Sequence, residues 1–268
     1  MKIDAGVYFW KNQKTFSHPL IRENKILQQQ YLPEQLLPSL HRNGMEGCIA
    51  VVAEKAEVET RFLSELAQTH PEIKGVTGWL DLYDPRAAEK IREFQQYRSI
   101  KSYSIDSRKD LPAADVMELL LENQYWLELS PGPGAFPENL KSLLSENPEF
   151  VFILQDCGNP DAKQPPSKAW ETGIRDLAKN RNLSCKLSGL FTQGNRKTWK
   201  PADFYPFLEI IFDSFGSGRI LFASDWPLLL ISGMYVQWKS LIEKFMERFP
   251  EEDRQKVFGE NASAFYRI

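Results

Sequence analysis

Several side chains suited to chemistry stand at or just beyond the ends of short apolar runs. Carboxylates occur at Glu54, Asp81, Glu128, Asp156 and Asp225, and ammonium groups at Lys101 and Lys186. Tyr8, Trp79 and Trp226 add aromatic rings, and Cys157 and Ser188 add nucleophile-type atoms. A carboxylate with a raised pKa serves as a general acid or base. A lysine supplies a point charge for an oxyanion, and an aromatic ring supplies a stacking face. A serine nucleophile needs a base beside it. The three histidines, His18, His41 and His70, lie in the first loop, in a helix and after a helix, so no strand-end imidazole is expected to activate Ser188. Cys157 has no neighbouring histidine in sequence, which argues against a thiolate nucleophile.

Eight apolar runs must carry these residues: Lys2–Tyr8, Gly47–Ala53, Ile73–Leu80, Ser99–Ser104, Tyr125–Leu129, Phe150–Leu154, Leu183–Leu187 and Ile220–Ala223. Their Val, Ile, Leu and aromatic content is that of buried parallel strands. Amphipathic segments alternate with them. Pro33–Arg42 carries Leu36, Leu37 and Leu40 at helical spacing, and Glu57–Thr69 places Val58, Phe62, Leu63 and Leu66 on one face. Further helices are expected at Pro85–Tyr97, Ala113–Asn123, Pro137–Ser145, Lys168–Asn180, Ala202–Phe215 and Met234–Phe249, with two short ones at Glu251–Phe258 and Asn261–Tyr266. Eight β-then-α units imply a parallel sheet with helical crossovers. No Gly-x-Gly-x-x-Gly turn follows the first strand and no Walker loop occurs, so a single (β/α)8 barrel, a TIM barrel over residues 1–268, is the expected architecture. Such a barrel places its chemistry at the C-terminal ends of the strands, and alternation sends every second side chain inward.

Composition sets the outer limits. The 268 residues hold 33 Lys and Arg against 36 Asp and Glu, for a net charge of −3, with 42% hydrophobic residues. This balance excludes a disordered chain and argues against nucleic acid or a polybasic membrane contact. No apolar stretch reaches the roughly 18 residues of a membrane span. Cys48, Cys157 and Cys185 form no Cys-x-x-Cys spacing, which fits reduced thiols and a cytoplasmic setting. A homodimer is compatible with the sequence but rests on no motif. The Gly132-Pro133-Gly134 turn is too generic for a phosphate loop. The long first loop, Trp10 to Gln30, is expected to fold over the mouth, with Phe16, Leu20, Ile21 and Ile26 packed.

Several segments together resemble one family. Ile3-Asp4-Ala5, Tyr31-Leu32-Pro33-Glu34 and Gly78-Trp79-Leu80-Asp81-Leu82 are followed by Cys185-Lys186-Leu187-Ser188-Gly189-Leu190 and Phe222-Ala223-Ser224-Asp225-Trp226-Pro227. Phe258-Gly259-Glu260-Asn261-Ala262 and Phe265-Tyr266-Arg267 close the set. The chain resembles the amidohydrolase-related barrels that include sugar-acid lactonases of the fuconolactonase and rhamnonolactonase type. The resemblance runs from the first strand to the last residues.

Departures from the family pattern are as informative. The family's strand 1 His-x-His is matched by Gly6 and Tyr8, its strand 4 Arg-His pair by Lys101 and Ser102, and its strand 6 histidine by Asp156. Zinc sites of this kind lean on imidazole, so no metal or other cofactor is expected. The resemblance implies Asp225 as general base, with a structural Asp bound to backbone amides as the alternative. It implies Lys101 as partner of the carbonyl or oxyanion, with an ion pair to Asp225, Asp156 or Asp106 as the alternative. Asp156 is expected to bind a substrate hydroxyl or pair with Lys101 or Lys186, or else to be a solvated loop carboxylate. Tyr8 would contact substrate or plug the space of a lost metal, Lys186 is a further expected substrate contact, and Trp79 and Trp226 would line the mouth or pack.

Two functions follow. The first is a metal-independent hydrolase opening a lactone or similar ester of a small sugar acid. The second is a catalytically silent barrel that binds a small ligand or partner protein. An open polar pocket at Asp225 favours the first, and a mouth filled by Tyr8 and Lys101 favours the second.

Overall fold

The computed structural model describes residues 1–11, 18–132, 136–196 and 198–268. Eight strands, β1 (Ile3–Tyr8), β2 (Gly47–Val51), β3 (Ile73–Gly78), β4 (Ile100–Asp106), β5 (Trp126–Ser130), β6 (Phe152–Leu154), β7 (Leu183–Leu187) and β8 (Ile220–Phe222), pair in parallel in chain order. Past the end of β8 the sheet closes on β1. Asp225 N–H donates to Gly6 O at 2.9 Å and Tyr8 N–H to Trp226 O at 2.7 Å. The result is the eight-stranded (β/α)8 barrel that the alternation of runs implies.

Inside, an apolar floor is built from Ile3, Ala5, Ile49, Ile153, Leu221 and Ala223. The helix Asn261–Tyr266 closes it from below with Ala262, Phe265 and Tyr266. The larger core lies between the strands and the outer helices, which bury Leu36, Leu40, Leu63, Ile91, Leu120, Ile174 and Phe207. The helix Glu57–Thr69 is rotated from the expected face. Val58 is 72% exposed, whereas Thr60 is buried and its hydroxyl is bonded to both Trp79 O and Trp79 N–H at 2.8 Å. A polar anchor to the end of β3 thus overrides the apolar stripe.

Most strands differ from the expected bounds by one or two residues. β4 continues to Asp106, because Ser104, Ile105 and Asp106 pair with Glu128, Leu129 and Ser130 of β5. β6 begins at Phe152 rather than Phe150 and ends at Leu154 as expected, and the chain soon turns into the left-handed region at Asp156 and Cys157. Among the described residues no helix is long and apolar enough to cross a membrane. Phe16, Pro133 and Gly134 lie outside the described residues. Of the rest of the first loop, Ile21 and Leu27 are buried, Leu20 is partly buried and Ile26 is 49% exposed. The two ends of this loop are tied by Trp10 and Tyr31, which exchange backbone hydrogen bonds at 2.9 Å.

Candidate functional site

Asp225 and Asp156 leave their strands in the same way. Each has positive φ, 57° and 53°, a left-handed conformation that L-residues seldom adopt and that concentrates at functional sites. Gly189, just beyond β7, stands between them. Its N–H donates to Asp225 Oδ2 at 2.5 Å, and a Cβ built on it would meet the Asp156 Cβ at 2.7 Å. Ser188 fixes Asp156 from both sides, accepting its backbone N–H at 2.8 Å and donating to Oδ1 at 3.0 Å. Burial, followed by the charge of Asp156, pushes the Asp225 carboxyl well above the usual carboxylate range, against the pull of the Gly189 N–H. Burial likewise raises Asp156, opposed by the Ser188 hydroxyl and Lys186. Two acids beside one another resist double ionisation.

Beneath them lies a saturated ion pair. Glu128 Oε1 accepts from the hydroxyls of Thr77 (2.6 Å), Ser102 (2.9 Å) and Tyr266 (2.7 Å). Its Oε2 accepts from Gln155 Nε2 at 2.9 Å and from Lys186 Nζ at 2.5 Å. Both charged groups are buried. Burial works to raise the Glu128 carboxyl, but the Lys186 ammonium and the hydrogen bonds from its neighbours outweigh it and hold Glu128 below its ordinary value. Lys186 is thus the cation inside the barrel whose field reaches Asp156 and Asp225.

Asp4 secures the seam between β1 and the end of β8. Its Oδ1 accepts from Ser224 N–H at 2.9 Å and from Gly6 N–H at 3.2 Å, and its Oδ2 from the Tyr235 hydroxyl at 2.9 Å. Burial dominates these bonds and raises its carboxyl to about 6.

A cavity of about 370 Å³ opens above the two aspartates. Asp225, Asp156, Tyr8 and Gly189 line it together with His18 and Leu20 of the first loop and Gln193 and Arg196 beyond β7. Burial and the nearby carboxylates push the Tyr8 phenol well above its ordinary value, so it stays a protonated donor. The mouth is open and polar, and Tyr8 does not plug it.

The other candidate positions fall elsewhere. Lys101 is not at the mouth. It is the second residue of β4, skipped where the register passes from Val76–Ile100 to Thr77–Ser102, and it packs beside Gly75 near Arg267 at the opposite end. The sequence reading placed it high because it ended β4 two residues early. Trp226 is buried against Phe9 and Tyr31, with ring centroids 5.9 and 5.3 Å away, and is absent from the described cavity wall. Trp79 is absent from the described cavity wall and is anchored through its backbone to Thr60. The Cys157 thiol is buried, donates to Lys186 O at 3.3 Å, and is held well above its ordinary pKa by burial.

The sequence reading also missed a residue. No histidine stands at a strand end, yet the first loop carries His18 into the cavity wall, where its Nδ1 is buried without a hydrogen-bond partner among the described residues. A lone loop histidine away from any strand end left no signal by spacing. His41 and His70 face Glu72 and Glu34 on the outside of the barrel.

Comparison with known proteins points in one direction. The chain is 28% identical to an L-fucono-1,5-lactonase of Burkholderia multivorans, across 100% of this chain and 96% of that protein. It is 23% identical to an L-rhamnono-gamma-lactonase of Scheffersomyces stipitis over 68% of this chain and 63% of that one. The structure of an amidohydrolase from Burkholderia multivorans with bound zinc superposes with a TM-score of 0.88 at 26% identity, covering 100% of this chain and 99% of that chain.

The donor set here does not fit such an ion. Position 6 has no side chain, although a Cβ there would stand 3.9 Å from Asp225 Oδ1, and position 8 is a phenol. Asp225 and Asp156 are already engaged by Gly189 and Ser188. Among the described residues no three His, Cys, Asp or Glu side chains are grouped to hold a metal. The fold agrees with a match of residues 3–268 to the amidohydrolase family model, and the chain belongs to the amidohydrolase family.

Proposed function

We propose that the chain is a metal-independent hydrolase that opens the lactone ring of a small sugar acid, with Asp225 as the base. The single observation that carries this reading is the position of Asp225, a buried carboxylate fixed by Gly189 and facing an open polar cavity. The lactonase relatives supply the substrate class. A base is most effective when its pKa lies near the working pH, and burial with a neighbouring acid moves Asp225 in that direction.

In the reaction, the Asp225 carboxylate takes a proton from water as the water oxygen attacks the lactone carbonyl carbon. The carbonyl π pair moves to oxygen. On collapse the C=O re-forms, the ring C–O bond breaks, and the ring oxygen leaves with the electron pair and takes the proton from Asp225. The product is an open hydroxy acid, which ionises. Asp156 and the Tyr8 phenol bind substrate hydroxyls on the same wall. Lys186 does not touch substrate. It holds Glu128 and limits the charge repulsion between the two aspartates.

The test is hydrolysis of sugar-acid lactones, L-fucono-1,5-lactone among them, by metal-stripped protein. Turnover indifferent to chelator and reduced at least about 1,000-fold in Asp225→Asn is expected. Turnover that appears only on adding zinc or manganese overturns the metal-free mechanism. Failure on every lactone overturns the function.

A further inference from the structure

With Lys101 at the far end of the barrel, the lactone carbonyl lacks the cation that the sequence pattern offered. The cavity wall supplies another donor. His18 directly precedes the short helix Pro19–Glu23, and its backbone N–H donates to Glu54 Oε1 at 3.0 Å. Glu54 stands just past β2 and is held in turn, its own N–H donating to Glu59 Oε2 at 2.6 Å. These bonds fix the loop to the strand-end side of the barrel and seat the imidazole on the cavity wall that Asp225 and Tyr8 share.

The Nδ1 atom of this ring is buried and has no hydrogen-bond partner among the described residues. An unsatisfied buried polar atom costs about 1–3 kcal/mol, and on a residue that lines a cavity it is a candidate to meet a ligand atom. Burial also lowers the His18 pKa, against the nearby Glu54 charge, so the ring is a neutral imidazole. A neutral imidazole has one N–H and one lone pair. It can polarise a carbonyl by hydrogen bonding without giving up a proton.

Resting on the lactonase reading, we propose that His18 is a catalytic residue, its Nδ1–H donating to the lactone carbonyl oxygen and strengthening that bond as negative charge builds there. The first loop thus supplies an imidazole that the strand ends lack. The ring neither gains nor loses a proton in the cycle, and Asp225 carries all proton transfer.

The experiment compares His18→Ala, His18→Asn and His18→Gln on L-fucono-1,5-lactone and D-galactono-lactone, with folding checked by circular dichroism and thermal melting. It adds calorimetric binding of L-fuconate and D-galactonate. Asn returns an N–H near the Nδ1 position, whereas Gln places its amide near Nε2. A donor of this kind is worth about 100-fold or more in kcat. His18→Ala should lose about 100-fold in kcat with KM changed less than about threefold, and His18→Asn should recover at least about tenfold more activity than His18→Gln.

A His18→Ala rate within threefold of the parent, or an Asn variant as poor as Gln, overturns the role while leaving the lactonase reading standing. If the parent turns over no lactone but binds the acids, and His18→Ala weakens that binding, the ligand contact stands, but the catalytic role and the lactonase reading fall. If the parent neither turns over a lactone nor binds an acid, both fall.

Discussion

Asp225 Oδ2 accepts the Gly189 N–H at 2.5 Å, and the same glycine presses its α-carbon face against Asp156. One residue without a side chain therefore spaces the two acids of the cavity floor. Gly189 has φ of 76°, and a Cβ would lie 3.0 Å from the Asp156 Cα as well as 2.7 Å from its Cβ. Gly189→Ala should cost about 1–3 kcal/mol in chemical denaturation from backbone strain. It should also lower kcat/KM by at least about tenfold, because the displaced neighbour is the floor of the site.

The pH profile should report the Asp156–Asp225 pair. Both carboxyls are raised, so the rising limb of kcat/KM should lie above the ordinary carboxylate range. Replacing Asp156 by Asn removes the second-largest cause of the Asp225 shift and leaves the first, burial. The limb should move to lower pH yet stay above the range of an exposed aspartate. Coincident profiles for parent and variant would show that the two acids are not coupled.

Glu128 and Lys186 should behave as a unit in stability measurements. Removing either partner strands a buried charge, and Glu128→Gln and Lys186→Met should each cost about 3–5 kcal/mol by urea denaturation. The double variant should lose less than the sum of the singles, because the second change removes a charge that the first left uncompensated. Strict additivity would contradict the 2.5 Å contact.

These expectations also show what was readable from residues alone. All eight strands and the barrel were visible in the spacing of apolar runs, because parallel strands buried on both faces leave nearly continuous hydrophobic segments. Asp225 was visible because a polar residue soon after such a run must emerge at the mouth. Lys101 was misplaced because β4 has a register shift and a longer C-terminal end, both set by pairing with β3 and β5. Trp226 followed the same strand-end logic but is drawn into a cluster with Phe9 and Tyr31. His18 was invisible because it reaches the site through a loop path, which no local periodicity encodes.

Asp4 gives a stability signature separate from activity. Its folded pKa is about 6 against 3.8 for an ordinary aspartate, so the fold favours the protonated form. That contribution is complete below about pH 3.8 and is lost as pH rises through about 6, amounting to about 3 kcal/mol. Asp4→Asn keeps a carbonyl acceptor for the Gly6 and Ser224 N–H groups but does not titrate. Denaturation midpoints across this range should show the parent falling relative to the variant as pH rises, and parallel curves would refute the assignment.

The bonds from Asp4 to Ser224 and from Gly6 to Asp225 join residues more than 200 positions apart. During synthesis β1 leaves the ribosome more than 200 residues ahead of its seam partner. Until that partner emerges one edge of β1 has no permanent neighbour, and neither the barrel nor the pocket above Asp225 can close. Translation speed and chaperone protection of that waiting edge, rather than the final stability of the enzyme, should therefore govern its yield on expression.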